Sequence, residues 1–255
     1  MTLSLIRCYS TVTEPASPDF IDQFYSVGAK IQAHRPKAVT QSSGYLGLVM
    51  SLGLSRPAAL FIVEGPDGPV ARAGVFQRSL APRSGVIGLY ETVPDPEGAE
   101  AARLVLEGAM EWASDHDLDE VFAPVDVNTW FKYRVMLYPE KEVFAPDPFS
   151  WEPTTPPEYQ RHFVDQGFEV AASFESIGLH IPDDGEYTFG DLLARTKSGY
   201  ESAITSGLRI ERLSSEEVQE VLPAVHVLCD DAFAENLLFE PIPLQAFQAL
   251  YGEAI

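Results

Sequence analysis

The sequence of 255 residues is short of cysteine, of basic side chains and of long apolar runs. Its two cysteines, Cys8 and Cys229, have neither a metal nor a redox spacing, and Cys8 sits in an apolar run that reads as a strand with a buried thiol. No metal is expected. Lysine and arginine number 17 against 38 aspartates and glutamates, a formal net charge of −21. A surface this acidic repels nucleic acid and anionic membranes, so neither is expected as a partner. The densest basic cluster, Lys30, His34, Arg35 and Lys37, reads as a solvated helix end. No apolar run reaches the ~18 residues of a membrane helix. The opening "MTLSLIRCYSTVTEP" lacks the apolar core of a signal peptide, and a cytoplasmic protein is expected.

What is present is an ordinary folding composition, 45% hydrophobic and 22% charged, which argues against global disorder. Leu3 to Ser10 alternates as a strand does. Ser17 before Pro18 predicts a helix start, with the helix running to about His34. Helix or loop covers Val39 to Leu54. "ALFIVEGPDGPVARAGVFQR" predicts two strands about a "GPDG" turn, and "SGVIGLYET" a third. In the helix that follows, Ala102, Val105, Leu106, Ala109, Met110 and Ala113 share one face at helical spacing. Asp95 before Pro96 reads as its N-cap. "DEVFAPVD" reads as a short buried strand, "PPEYQRHFVDQGF" as a short helix, and "FEVAASFESIGLHI" as a strand pair or one bent strand. Between them, Asn128 to Pro157 is irregular and rich in aromatics. The expected class is α/β.

A second beginning follows. Leu208 to Leu213 alternates, and Ser214 with Glu217 forms a capping box for a helix. The order strand, helix, helix repeats that of the chain's opening and suggests an internal repeat. The expected organisation is a domain over residues 1–185, a helical connector over 186–206, and the incomplete start of a second domain over 207–255. The chain therefore reads as a fragment of a longer protein.

The element order, together with "GVIGLYE", "MEWASDHDLDEVFAPVD" and "PPEYQRHFVDQGFEVAASF", resembles the GNAT superfamily of acyl-CoA-dependent N-acyltransferases. The closer likeness is to bacterial GNAT-like proteins built from two tandem copies, and "AFAENLLFEPIPLQAFQAL" is similar to the opening of the second copy. The resemblance implies a mixed sheet flanked by helices, acetyl-CoA or another acyl-CoA as co-substrate, a small-molecule amine as acceptor, and packing against a second copy. It assigns the cofactor to the amides around Val93, Pro94, Asp95, Gly98 and Ala99, and the substrate side to Trp130, Tyr133 and Trp151. Many family members carry, four residues before the Gly of "GF", a Tyr that protonates the leaving thiolate. Phe163 stands there, so Tyr159, one turn earlier, is the proton-donor candidate.

The turn departs from the family. Its members have a Gly-rich turn led by Arg or Gln, whereas "TVPDPEGAEA" has one glycine and no preceding basic residue. A helix N-terminus offers an exposed anion about 0.3–1 kcal/mol. One carboxylate at ~4 Å from a phosphate costs about 1 kcal/mol even in water, and Glu91, Asp95, Glu97 and Glu100 crowd this turn. Two readings stay open: an acyl-CoA-dependent N-acyltransferase in which a second copy carries most of the cofactor chemistry, with the first copy either inactive or active through Tyr159, or a non-catalytic ligand-binding or scaffold domain with the aromatic loop as pocket or interface. Two other constellations read as structural. His116 among Asp115, Asp117 and Asp119 is a solvated helix end, and His226 with Cys229 and Asp230 lacks an oxyanion hole. A dinucleotide-binding domain would need a Gly-rich turn after the first strand, where "TVTEPASPD" stands.

Overall fold

The computed structural model describes residues 3–10, 16–34, 42–137, 152, 154–175, 189–209 and 211–251. The chain divides into two compact units, Met1–Ala171 with Ala232–Pro241, and Ala172–Asp231 with Ile242–Ile255.

The first unit is an α/β layer built on one mixed sheet in the order β1 (Ser4–Ser10), β2 (Ala58–Gly65), β3 (Gly68–Gln77), β4 (Ser84–Thr92) and β5 (Glu120–Phe122). The first four strands pair antiparallel, and β5 joins β4 in parallel. The hairpin turns at Gly68, whose φ of +92° is open to glycine at little cost. Helix α1 (Pro18–His34) starts where the sequence places it, with the Phe20 N–H donating to Ser17 Oγ at 3.2 Å. Helix α2 (Ser43–Gly53) is capped in the same way by Ser42.

Helix α3 (Glu97–Asp115) lays Ala102, Val105, Leu106 and Ala109 on Ala59, Phe61, Ala71, Ala73 and Val75 of the sheet. Each large aliphatic side chain buried there contributes about 1.5–3 kcal/mol. Val27 and Ile31 of α1, and Tyr159 and Phe163 of α4 (Glu158–Asp165), complete this core. Met110 departs from the expected face and is 38% exposed. Arg72 lies fully buried in β3, where it donates to the Phe24 carbonyl at 2.9 Å and pairs with Glu91 at 2.6 Å.

Helix α4 ends where Gly167 takes a φ of +83°. Residues 168–175 follow without joining the sheet, so the strand expected from "FEVAASFESIGLHI" is absent from its described part. The second unit contains α5 (Phe189–Thr205), α6 (Ser215–Ala232) and α7 (Leu244–Tyr251). The capping box forms, with Ser214 N–H to Glu217 Oε2 at 2.7 Å and Glu217 N–H to Ser214 Oγ at 3.3 Å. The strand expected over Leu208–Leu213 does not form among the described residues. Alternation alone cannot hold a strand that has no neighbour for its backbone groups.

Candidate functional site

Strand β4 meets β5 only over Ser84–Val86, and the Val125 N–H then donates to the Ile87 carbonyl at 2.8 Å. Beyond Ile87 no further backbone bond joins the two segments among the described residues. The pairing with β3 skips here too. Arg72 faces Glu91 but Gly74 faces Gly88, so β4 carries an extra residue. Leu89 takes up that bulge at a φ of +52°, a conformation that costs an L-residue about 1–2 kcal/mol. Gly88 lets the neighbouring chain close in, since a Cβ there would lie 2.6 Å from Asp126 Cα.

The amides on this edge are already engaged. Leu89 N–H donates to Asp126 Oδ1 at 2.5 Å, and the Tyr45 hydroxyl donates to Asp126 Oδ2 at 2.7 Å. The same hydroxyl accepts from the Lys132 N–H at 2.8 Å. Burial pushes the Asp126 carboxyl above the usual range, against the lowering effect of these donors, and it pushes the Tyr45 phenol up as well. Further along β4, Thr92 N–H donates to the Tyr159 hydroxyl at 2.9 Å. That hydroxyl is buried and in turn faces the Thr92 carbonyl at 3.4 Å.

The turn into α3 is closed in the same sense. Val93 N–H donates to the Val70 carbonyl at 2.9 Å and Gly98 N–H to the Pro94 carbonyl at 3.1 Å. A side chain at Gly98 would overlap the Val93 carbonyl. Ala99 is exposed. Asp95 is not the N-cap. Pro96 holds that position without a side-chain cap, and the Asp95 carboxylate instead takes Arg161 and, at 3.1 Å, His162 Nε2. A carboxylate only accepts, so Nε2 carries the hydrogen and Nδ1 accepts from the Tyr90 hydroxyl at 2.8 Å. Burial lowers the His162 pKa, with Asp95 opposing, and raises the Tyr90 pKa well above its ordinary value. Pro94, Asp95, Pro157, Glu158 and Arg161 line an open depression here.

Val93, Gly98 and Asp95 thus meet the α4 residues Tyr159, Arg161 and His162 across one small region. Tyr133 forms an isolated bridge with Val125, under the Arg134 guanidinium at 4.8 Å. Trp130 is engaged elsewhere. Its indole N–H donates to the Glu240 carbonyl at 3.0 Å, and its ring packs near Phe233 and Phe239. Trp151, with Tyr138, Phe144 and Phe149, lies outside the described residues. Sequence reasoning missed Asp126, Tyr45, Arg161 and His162. The one available signal was a carboxylate directly after the apolar strand "VFAPV".

His116 stacks on Trp112 at 3.8 Å, and no group of three or more metal-ligating side chains occurs among the described residues. His226 packs on Phe247 and donates to the Ile242 carbonyl at 2.8 Å. No described helix is long and apolar enough to cross a membrane.

No protein-family model and no curated protein matches the chain. Solved structures do resemble it. A putative acetyltransferase from Agrobacterium tumefaciens is 18% identical, with 69% of this chain and 99% of that one covered at a TM-score of 0.39. An acetyltransferase from Trypanosoma brucei is 12% identical over 70% and 100%, again at 0.39. An aminoglycoside acetyltransferase from an uncultured soil metagenomic sample is 10% identical over 71% and 95%, at 0.37. Likeness of this size fixes neither a family nor an activity.

Proposed function

We propose that the first unit is a non-catalytic binding or scaffold domain with an acyltransferase-like layout. The observation that carries this reading is the occupied edge of β4. The Leu89 and Thr92 amides of β4, past its pairing with β5, are bonded to Asp126 and Tyr159 of the chain itself. The fit to coenzyme A is poor on the same grounds. The turn's Val93 and Gly98 amides serve internal bonds, and the turn itself carries the carboxylates of Asp95 and Glu97, which oppose an anionic ligand. Tyr159 spends its hydroxyl on the Thr92 backbone rather than offering it to a leaving group. Titration of acetyl-CoA into the full chain by calorimetry tests this reading. No heat is expected up to about 1 mM ligand, and a Kd near ~1 μM, about −8 kcal/mol, would overturn it.

One observation favours a second reading, an acyl-CoA-dependent transferase acting on a small amine. The depression beside the turn is open, and Arg161 brings to it the guanidinium that the turn's own sequence lacks. On that reading the amides around Val93, Pro94, Asp95, Gly98 and Ala99 hold the cofactor, Tyr159 donates the proton, and Trp130, Tyr133 and Trp151 face the acceptor. It requires that Arg161→Ala weaken acetyl-CoA binding. Residues 207–255 as the opening of a second copy rest on the sequence resemblance alone.

A further inference from the structure

The segment Ala232–Pro241 belongs to the first unit, although the residues on both sides of it belong to the second. It adds no strand to the sheet. Its residues 233–237 are exposed, and Leu238, at a φ of +58°, turns the chain so that Leu238, Phe239 and Glu240 are buried. Glu240 is 1% exposed. Its Oε2 lies 2.5 Å from Arg56 Nη1, and its Oε1 accepts from the Leu80 N–H at 3.3 Å and faces Arg78 Nε at 3.6 Å. Its carbonyl takes the Trp130 indole N–H, whose ring sits 6.0 Å from Phe233 and 5.9 Å from Phe239.

The receiving groups come from three separate places: Arg56 after α2, Arg78 and Leu80 after β3, and Trp130 after β5. All are held by the five-stranded sheet and its helices. They supply more positive charge than their guest consumes. Two guanidiniums face one carboxylate, and Arg56 Nε is buried with no hydrogen-bond partner among the described residues. In a protein with a net charge of −21, such a site is a local exception suited to an anionic guest. Aromatic anchors beside a charged centre are the anatomy of a peptide-recognition patch.

We infer that Arg56, Arg78, the Leu80 amide and Trp130 form a binding site for an acidic peptide with an aromatic residue before its acid, and that the chain fills this site with its own segment 232–241 as a detachable strap. The strap is tethered at both ends, which gives it a local concentration on the order of millimolar. A free peptide can therefore enter only when the chain's own contact is weakened.

The test uses the full chain and a labelled synthetic peptide of residues 232–241, AFAENLLFEP, followed by fluorescence anisotropy. Glu240→Ala is expected to bind the peptide at least about tenfold more tightly than wild type, and adding Arg56→Ala with Arg78→Ala is expected to remove about tenfold or more of that affinity. A peptide with Gln in place of its second Glu should bind as poorly as the peptide binds the arginine variant. Equal binding by wild type and Glu240→Ala, no binding to Glu240→Ala at ~1 mM peptide, or binding indifferent to the arginines each overturns the inference. If circular dichroism shows Glu240→Ala unfolded, Glu240→Gln takes its place with the same expectations. Wild type supplies a readout that needs no variant. The Leu238–Glu240 amides should exchange with solvent faster than those of β3 by local opening, and exchange as slow as β3 would mean that the segment is a fixed part of the core.

Discussion

Replacing Asp126 with Ala should damage the first unit by an amount that can be worked out beforehand. The carboxylate accepts from the buried Leu89 N–H at 2.5 Å and from the part-buried Tyr45 hydroxyl at 2.7 Å. Each donor left without an acceptor costs about 1–3 kcal/mol, so the pair costs about 2–6 kcal/mol. Removing the carboxyl also removes the penalty of burying it, which places the expected loss at pH 7 in the lower half of that range, about 2–4 kcal/mol. For a domain of this size the melting temperature should fall by about 4–16 °C.

The pH dependence gives a second check. Burial raises the folded pKa of Asp126, with Tyr45, Leu89 N–H, Lys132 and Arg72 facing it and pulling it down. A carboxyl whose folded pKa is raised contributes most below the unfolded value of about 3.9 and loses that contribution as pH rises through the folded value. The gap between wild type and Asp126→Ala should therefore be widest in acid and narrow toward neutrality. Asp126→Asn keeps an acceptor for Leu89 and should cost less, without this pH dependence. Urea unfolding followed by tryptophan fluorescence measures the loss, and amide exchange at Leu89 localises it. A loss below about 0.5 kcal/mol, with Leu89 still protected, would refute the idea that Asp126 ties its segment to the Leu89 bulge of β4.

Three further outcomes are expected. The folded pKa of His162 is lowered chiefly by burial, with Asp95, Arg161, Asp165 and the two phenols of Tyr90 and Tyr159 around it. Its contribution is full above the unfolded pKa of about 6.5 and falls as pH drops below that value; His162→Gln should flatten the urea midpoint between about pH 7 and pH 5.5, and an unchanged slope would count against the buried neutral imidazole. Arg72→Ala strands the Glu91 carboxylate and the Phe24 carbonyl and should cost about 3–5 kcal/mol in thermal unfolding, whereas Arg72→Met combined with Glu91→Leu should recover most of it. Tyr159→Phe leaves the Thr92 N–H without its acceptor and should cost about 1–3 kcal/mol, with faster exchange at Thr92; unchanged stability alongside a lost acyl-transfer activity would instead favour the proton-donor role.

Much of the scaffold was legible because its signals are local. Ser17 caps α1 from three residues away, Gly68 fixes the hairpin, and Ser214 and Glu217 cap each other within one turn. The apolar stripe of α3 was legible except at Met110, which lies off the buried face and is 38% exposed. Alternation misleads over Leu208–Leu213, where no strand forms among the described residues.

The sequence by itself determined the charge, the starts of α1 and α6, the hairpin, and the crowding of carboxylates at the turn around Asp95. The tertiary structure decided what those groups do. Asp126 reaches Leu89 across 37 residues, Arg161 reaches Asp95 across 66, and Glu240 reaches Arg56 across 184. A carboxylate's role depends on which donors surround it and on how dry the place is. Both were settled when the bulge at Leu89 and the packing of α4 on β4 brought distant residues together, and no local spacing encodes that.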